Sequence, residues 1–260
     1  MIRRASILVM LLASSSAAYE APPGAYFYSY LIPATPAGYS DAITSHALIK
    51  HYWTVLDTAS VTLDGTNVAS WTATVGGIVA APTNAAQRPW WDAADYGNRG
   101  GIGFGGGQAM NLSEAIPSTN ALFVVVGHRA THNTMFCILA RHDSTGGPGF
   151  ALWNNTTAYF HPDANDYGVS ASAAGVSNRL MFSAAHFGGN VTTNNTAIWY
   201  STTRAMGLST YLQAAPGPIF NRIGARQADG WAIGRINAIA VFYPVADTNE
   251  AQSIIATVQG

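Results

Sequence analysis

With 48% apolar side chains over 260 residues the chain can bury a sizeable core, yet only 10% of its residues are charged, against about 25% in an average soluble domain. A net charge of −1 argues against a nucleic-acid partner and against an anionic membrane surface. The single cysteine, Cys137, excludes an intrachain disulfide and a cysteine-based zinc site.

At the start of the chain, Arg3 and Arg4 precede the apolar run Ile7 to Ala13, and Ser16-Ala17-Ala18 offers a small-residue cleavage site. Residues 1–18 are therefore expected to be either a secretory signal peptide or a docking arm; as a helix they are too short to span a membrane. Residues 19–50 are rich in Pro, Ala and Tyr. Tyr26, Tyr28 and Tyr30 alternate as in a strand, but the flanking prolines favour a linker or a packed arm.

From residue 51 the pattern changes to short apolar runs separated by turn-forming clusters, which predicts an all-β domain over 51–260. It opens with Tyr52 to Asp57, Ser60 to Gly65 and Val68 to Trp71. A Thr/Asn/Ala-rich loop leads to Gln87-Arg88-Pro89-Trp90-Trp91, and then to Gly101-Ile102-Gly103-Phe104-Gly105-Gly106. The last run matches Gly-x-Gly-x-x-Gly in form, but no βαβ unit surrounds it, so it predicts a strand and a tight turn.

Further strands are predicted at Ala121–Gly127, Thr134–Arg141, Gly149–Trp153, Ala158–His161, Leu180–Phe187, Thr196–Ser201, Arg222–Ala225 and Ile233–Tyr243. Turns are predicted at 143–148, 188–190 and 228–230. Cys137 is expected to be a small buried residue of its strand. A helix closes the chain. Asp247 is its N-cap with Glu250 three residues on, Ala251, Ile254, Ile255 and Val258 share one face, and Gly260 is the stop.

The opening from Tyr52 to Leu112 and the close from Asn221 to Gly260 resemble the two ends of a laminin-G-like jelly roll. Such domains belong to the concanavalin A-like lectin/glucanase superfamily, here in the compact form of phage virion and bacterial surface proteins. The resemblance implies an all-β jelly-roll sandwich with a short C-terminal helix, preceded by an N-terminal extended arm. Its motifs are degenerate and speak for fold more than for function.

Glycanases of that superfamily use paired carboxylates. Only Glu20, Glu114 and Glu250 are glutamates, and Glu114 alone has no other expected role. The Glu-x-Asp-x-x-Glu strand motif, a Gly-x-Ser-x-Gly elbow and a Walker A sequence are all absent, while Asp57 and Asp64 fall where the resemblance implies turns. No catalytic residue is assigned. His128, His132 and His142 are read as ordinary strand or loop histidines. The resemblance also implies a rim calcium. Asp163, Asn165 and Asp166 are the best local donors and Asp92 with Asp95 the second set, although an Asx-rich turn explains the first cluster more economically. No other cofactor is expected.

Glycan binding needs an aromatic face for the sugar ring and amides or carboxylates for its hydroxyls. Trp90, Trp91 and Tyr96 lie beside Asp92, Asp95 and Asn98, and a second group holds Trp153, Asn155 and Tyr159 with Asn154 and His161. The Trp90-Trp91 pair is equally suited to seal the sandwich or a subunit contact. Trp53, Trp71, Trp199 and Trp231 are expected in the core or packed on a sheet.

The expected function is a non-catalytic surface module, foremost a phage virion decoration or fibre-type protein on the virion surface. Its partners would be other subunits, copies of itself included, and host-surface glycans. The alternative is an exported bacterial lectin, secreted or on the cell surface, and a glycan hydrolase or lyase is the third option. No transmembrane segment is expected.

Overall fold

The computed structural model of the protein describes residues 41–95, 99–117, 119–129, 136–140, 149–153, 157–161, 169–172, 181–187, 196–200, 203–207, 219–226, 230–231 and 233–259. The strands, in chain order, begin with β1 (Ile49–Thr54), β2 (Val61–Asp64), β3 (Asn67–Thr72), β4 (Val79–Ala81), β5 (Trp90–Asp92) and β6 (Gly101–Gly105). They continue with β7 (Met110–Pro117), β8 (Ala121–Arg129), β9 (Phe136–Ala140), β10 (Gly149–Trp153), β11 (Thr157–His161) and β12 (Val169–Ser172). The last are β13 (Met181–Phe187), β14 (Thr196–Tyr200), β15 (Thr203–Gly207), β16 (Ile219–Ile223), β17 (Ala225–Arg226), β18 (Gly230–Trp231) and β19 (Ile233–Phe242), before the helix α1 (Thr248–Gln259).

Seventeen of these strands form one continuous antiparallel sheet that curls into two layers. One layer runs β5-β6-β19-β8-β13-β14-β15, with β1 replacing β6 beside the later half of β19. The other runs β2-β3-β4-β7-β16-β9-β10-β11-β12. A single pairing, Asn67 with Trp90, carries the sheet from one layer to the other at the β3–β5 edge. This is the all-β jelly-roll sandwich that the sequence predicts.

Between the layers lies the main core. It takes Trp53, Ile102, Phe104, Phe123, Val125, Ile236 and Ile239 from the first layer, and Val68, Trp71, Met110, Ile116, Phe220 and Ile223 from the second. Phe123 and Phe220 meet edge to face across the gap at 4.9 Å, and burial of each such ring stabilises the fold by about 1.5–3 kcal/mol. Trp53, Trp71 and Trp199 are buried as expected, and the side chain of Trp231 lies outside the described part.

Strand β8 is apolar on both faces because both faces are covered. Phe123 and Val125 point into the core, while Leu122, Val124 and Val126 point outward to a second cluster. That cluster is closed by α1, whose Ala251, Ile254, Ile255 and Val258 are all buried, and by Ile43, which lies in a helical turn at 41–44. The cap forms as predicted at Asp247, whose Oδ1 accepts the amides of Asn249 and Glu250 at 2.8 and 2.9 Å. Glu250 differs from an ordinary capping box, accepting the amide of Ala246 at 2.6 Å, one residue before the cap. Trp199 Nε1 donates to Gln252 Oε1 at 2.6 Å and ties the helix to β14.

Where a strand is both predicted and observed the two differ mainly at their ends, while β4, β7, β12 and β15 are not among the predicted strands. The strand predicted at Arg222–Ala225 is two: β16 stops at Ile223, and Gly224, at φ +91°, turns the chain into β17. A side chain there would overlap the ring of Phe104, so only glycine fits both the turn and the contact. The turns expected at 143–148 and 188–190, residues 228–229 of the third, the Gly260 stop and the side chain of Cys137 lie outside the described part. Among the described residues, no helix is long and apolar enough to cross a membrane.

Candidate functional site

The strongest sequence cluster falls on the β5–β6 corner, and strand parity splits its two tryptophans. Trp91 pairs with Ile102 and so shares the inward face; its ring packs on the main core and over Gly100. Trp90 pairs with Gly103 and so shares the outward face. One of the pair seals the sandwich and the other does not.

Beneath Trp90 the strand is bare, because Gly101, Gly103 and Gly105 occupy successive outward positions of β6. A Cβ at Gly103 would overlap the indole at Cε2, Nε1 and Cζ2, and one at Gly105 would stand 3.1 Å from Cζ3. The ring therefore lies across the glycine backbone. It remains half-buried. Gln108 Oε1 accepts the amide of Gly105 at 2.7 Å and that of Gly107 at 3.2 Å, closing the turn after β6.

Strand β19 supplies the polar side of the site. Arg235 pairs with Gly103, so Trp90, Gly103 and Arg235 form one outward row across three strands. Arg235 Nε donates to Asp92 Oδ2 at 2.7 Å, and the two side chains are 28% and 24% exposed. Asp92 Oδ1 also accepts the amide of Ala94 at 3.2 Å. One step further, Asn237 Nδ2 donates to Asp95 Oδ2 at 3.1 Å and to Gly100 O at 2.9 Å, pinning the loop between β5 and β6 to β19. Asp95 Oδ2 occupies the space that a side chain at Gly101 would need. A bulge between Ile236 and Ala238 lets Arg235 face the site while Ala238 faces α1.

The structure thus brings Trp90, Asp92 and Asp95 together with Arg235 and Asn237, and turns Trp91 inward. Tyr96 and Asn98 lie outside the described residues, as do Asn155 and the calcium candidates Asp163, Asn165 and Asp166. In the second glycan candidate, β10 and β11 pair Trp153 with Thr157 and Ala151 with Tyr159; the side chains of Trp153 and Tyr159 lie outside the described part. Among the described residues no group of three or more His, Cys, Asp or Glu could hold a metal ion. Glu114 is exposed on β7. Its charge partly opposes the burial that holds the nearby His51 below the usual histidine range.

Sequence reasoning missed Arg235 and Asn237, which are remote in sequence from the tryptophans. A signal was present in part: glycine at every second position of β6 marks a strand face that some large side chain must cover.

No family model and no curated protein matches the sequence. Among solved structures the chain is similar to domain 4 of AbnA, a GH43 extracellular arabinanase from Geobacillus stearothermophilus, in complex with arabinotriose. The TM-score is 0.53 at 9% identity, over 79% of this chain and 97% of that one. It is also similar to Trypanosoma rangeli sialidase in complex with the inhibitor DANA, with a TM-score of 0.53 at 12% identity over 90% of this chain; the match spans only 36% of the sialidase. The CBM40 of Ruminococcus gnavus IT-sialidase, bound to α2,3-sialyllactose, matches at a TM-score of 0.45 and 14% identity, over 60% of this chain and 95% of that one. At such identities the first two likenesses establish the fold alone.

Proposed function

We propose that the protein is a non-catalytic glycan-binding module of the laminin-G-like, concanavalin A-like kind, and that the outward face of Trp90 is its sugar platform. The observation that carries this reading is the Trp90 indole laid flat on a glycine floor, beside the Asp92–Arg235 pair. An indole face presents the negative part of its quadrupole, which suits the C–H face of a sugar ring, while neighbouring charged groups bond the hydroxyls. Support also comes from the AbnA domain, similar in fold and solved in complex with arabinotriose.

The non-catalytic part of the proposal rests on the carboxylates. Glu250 is engaged at the helix cap, Asp92 is paired with Arg235, Asp95 is bonded to Asn237, and Glu114 stands exposed on another strand. A glycosidase uses two carboxyls as acid and nucleophile or base across one sugar-sized gap; among the described residues the two that come together, Asp92 and Asp95, are both already bonded to side chains of β19. Alanine at Glu114 should leave any turnover found on a glycan substrate unchanged.

The setting we favour is a virion surface, as a decoration or fibre-type subunit in contact with further subunits; a charged fraction of 10% suits a surface partly covered by neighbours. An exported bacterial lectin is the second reading, motivated by the signal-like residues 1–18. The intact mass of the protein from its native source separates them: loss of residues 1–18 supports export and removes the virion reading.

A glycan array with wild type, Trp90→Ala and Trp91→Ala tests the site. Binding should fall tenfold or more in Trp90→Ala, a loss of about 1.4 kcal/mol or more. Trp91→Ala should chiefly lower stability. Undiminished binding by folded Trp90→Ala would sink the assignment.

A further inference from the structure

We infer that the Trp90 surface accepts uncharged sugar chains and discriminates against acidic ones such as sialic or uronic acids; the inference rests on the glycan-binding reading above. Its basis is how charge is arranged beside the platform. Asp92 ends β5, Asp95 and Arg99 lie in the β5–β6 loop, and Arg235 stands in the outward row of β19, two of each sign among the described side chains. The cation nearest the platform in register, Arg235, already bonds Asp92 at 2.7 Å.

An incoming carboxylate would be drawn to Arg235 and repelled by Asp92 over nearly the same distance, so the two Coulomb terms largely cancel. To gain a direct bond to the guanidinium it would have to displace Asp92. That would leave a carboxylate only 24% exposed without its partner, which is strongly unfavourable. A hydroxyl faces no such conflict. It can donate to the remaining lone pairs of Asp92 while the ion pair stays intact, since each carboxylate oxygen accepts more than one hydrogen bond.

Backbone packing restricts the site further. The Trp90 ring fills the trench over Gly103 and Gly105, so a ligand meets the platform from outside and cannot insert beneath it. Sugar rings are therefore expected to stack side-on along an extended chain.

The experiment is titration calorimetry of the full chain with two probe sets. Uncharged probes are arabino-, galacto-, manno- and gluco-oligosaccharides; acidic probes are α2,3-sialyllactose and oligogalacturonate. We expect at least one uncharged probe to bind, with all acidic probes at least about tenfold weaker. Affinity should change less than about twofold when salt is raised to screen charge. Asp92→Asn, which removes the Asp92 charge from beside Arg235, should weaken the uncharged probe and strengthen the acidic ones.

Acidic probes binding wild type as well as or better than uncharged ones would overturn the inference and leave glycan binding standing. Trp90-independent binding, or none to either set, would overturn both.

Discussion

Along the single strand β19 the outward surface of one sheet is finished in two opposite ways. At Ala238, Ala240 and Phe242 it is apolar and sealed by α1 and Ile43. At Arg235, with Gly103 and Trp90 in the same row, it carries glycine, one half-buried indole and an ion pair, and no helix covers it among the described residues. The bulge at Ile236–Ala238 is the border. The contrast teaches where this fold stores stability and where it leaves a surface open: aliphatic side chains demand a cover, whereas the tryptophan on its glycine floor stays half-buried.

The largest expected effect comes from breaking the sealed half. Phe242 is fully buried and meets His46 edge to face at 5.3 Å. Phe242→Ala should cost about 3–5 kcal/mol in urea unfolding, with glycan affinity of the folded fraction unchanged. A cost below 1 kcal/mol or so would mean that α1 is not a structural cover.

Acid should act on the same half. His186 is buried on β13, its Nδ1 lies 3.0 Å from Ala121 O, and Nε2 is buried without a partner. Burial lowers its pKa from 6.5 to about 4, against weaker opposing pulls from the Ala121 carbonyl, Asp247 and Glu250. The unfolded chain therefore binds a proton that the folded chain refuses. This group costs nothing above pH 6.5, and as pH falls to about 4 it should remove about 3 kcal/mol of stability. Urea midpoints across that window check the slope, and His186→Gln should flatten it.

The open half is sharpened by a smaller change. Gly103→Ala places a methyl group where the Trp90 ring lies. Overpacking should cost about 1–3 kcal/mol, and displacement of the platform should reduce glycan affinity. Loss of stability with affinity intact would detach the glycine floor from binding.

How much of this was legible in the sequence follows the same border. The sealed half was readable because its signals are local: Asp247 and Glu250 mark the helix start, and Ala251, Ile254, Ile255 and Val258 mark the buried face at helical spacing. Long apolar strands such as β8 and β19 were equally plain. Short or small-residue strands, β4 (Val79–Ala81), β12 (Val169–Ser172) and β15 (Thr203–Gly207), were not, because their pairing comes from neighbours and not from their own side chains. The open half was legible only in part. Trp90, Trp91, Asp92 and Asp95 announce themselves as a cluster, but which tryptophan faces out depends on register with β6, and Arg235 arrives from another strand through a bulge. A period-two glycine run was visible; what lies on it was not.

The smallest expected effect is the most selective. Asp247 holds two amides of the first turn of α1 while being itself exposed, and those bonds keep its carboxyl below the ordinary range. Asp247→Ala removes the cap without touching the apolar contact, so it should cost only about 1 kcal/mol. The loss should be local. In native-state hydrogen exchange the amides of α1 should open sooner, while those of β5 and β6 around Trp90 keep their protection. If both regions loosened together, the sealed and open halves would be one cooperative unit, and the bulge in β19 would be a change of facing and not a boundary in stability.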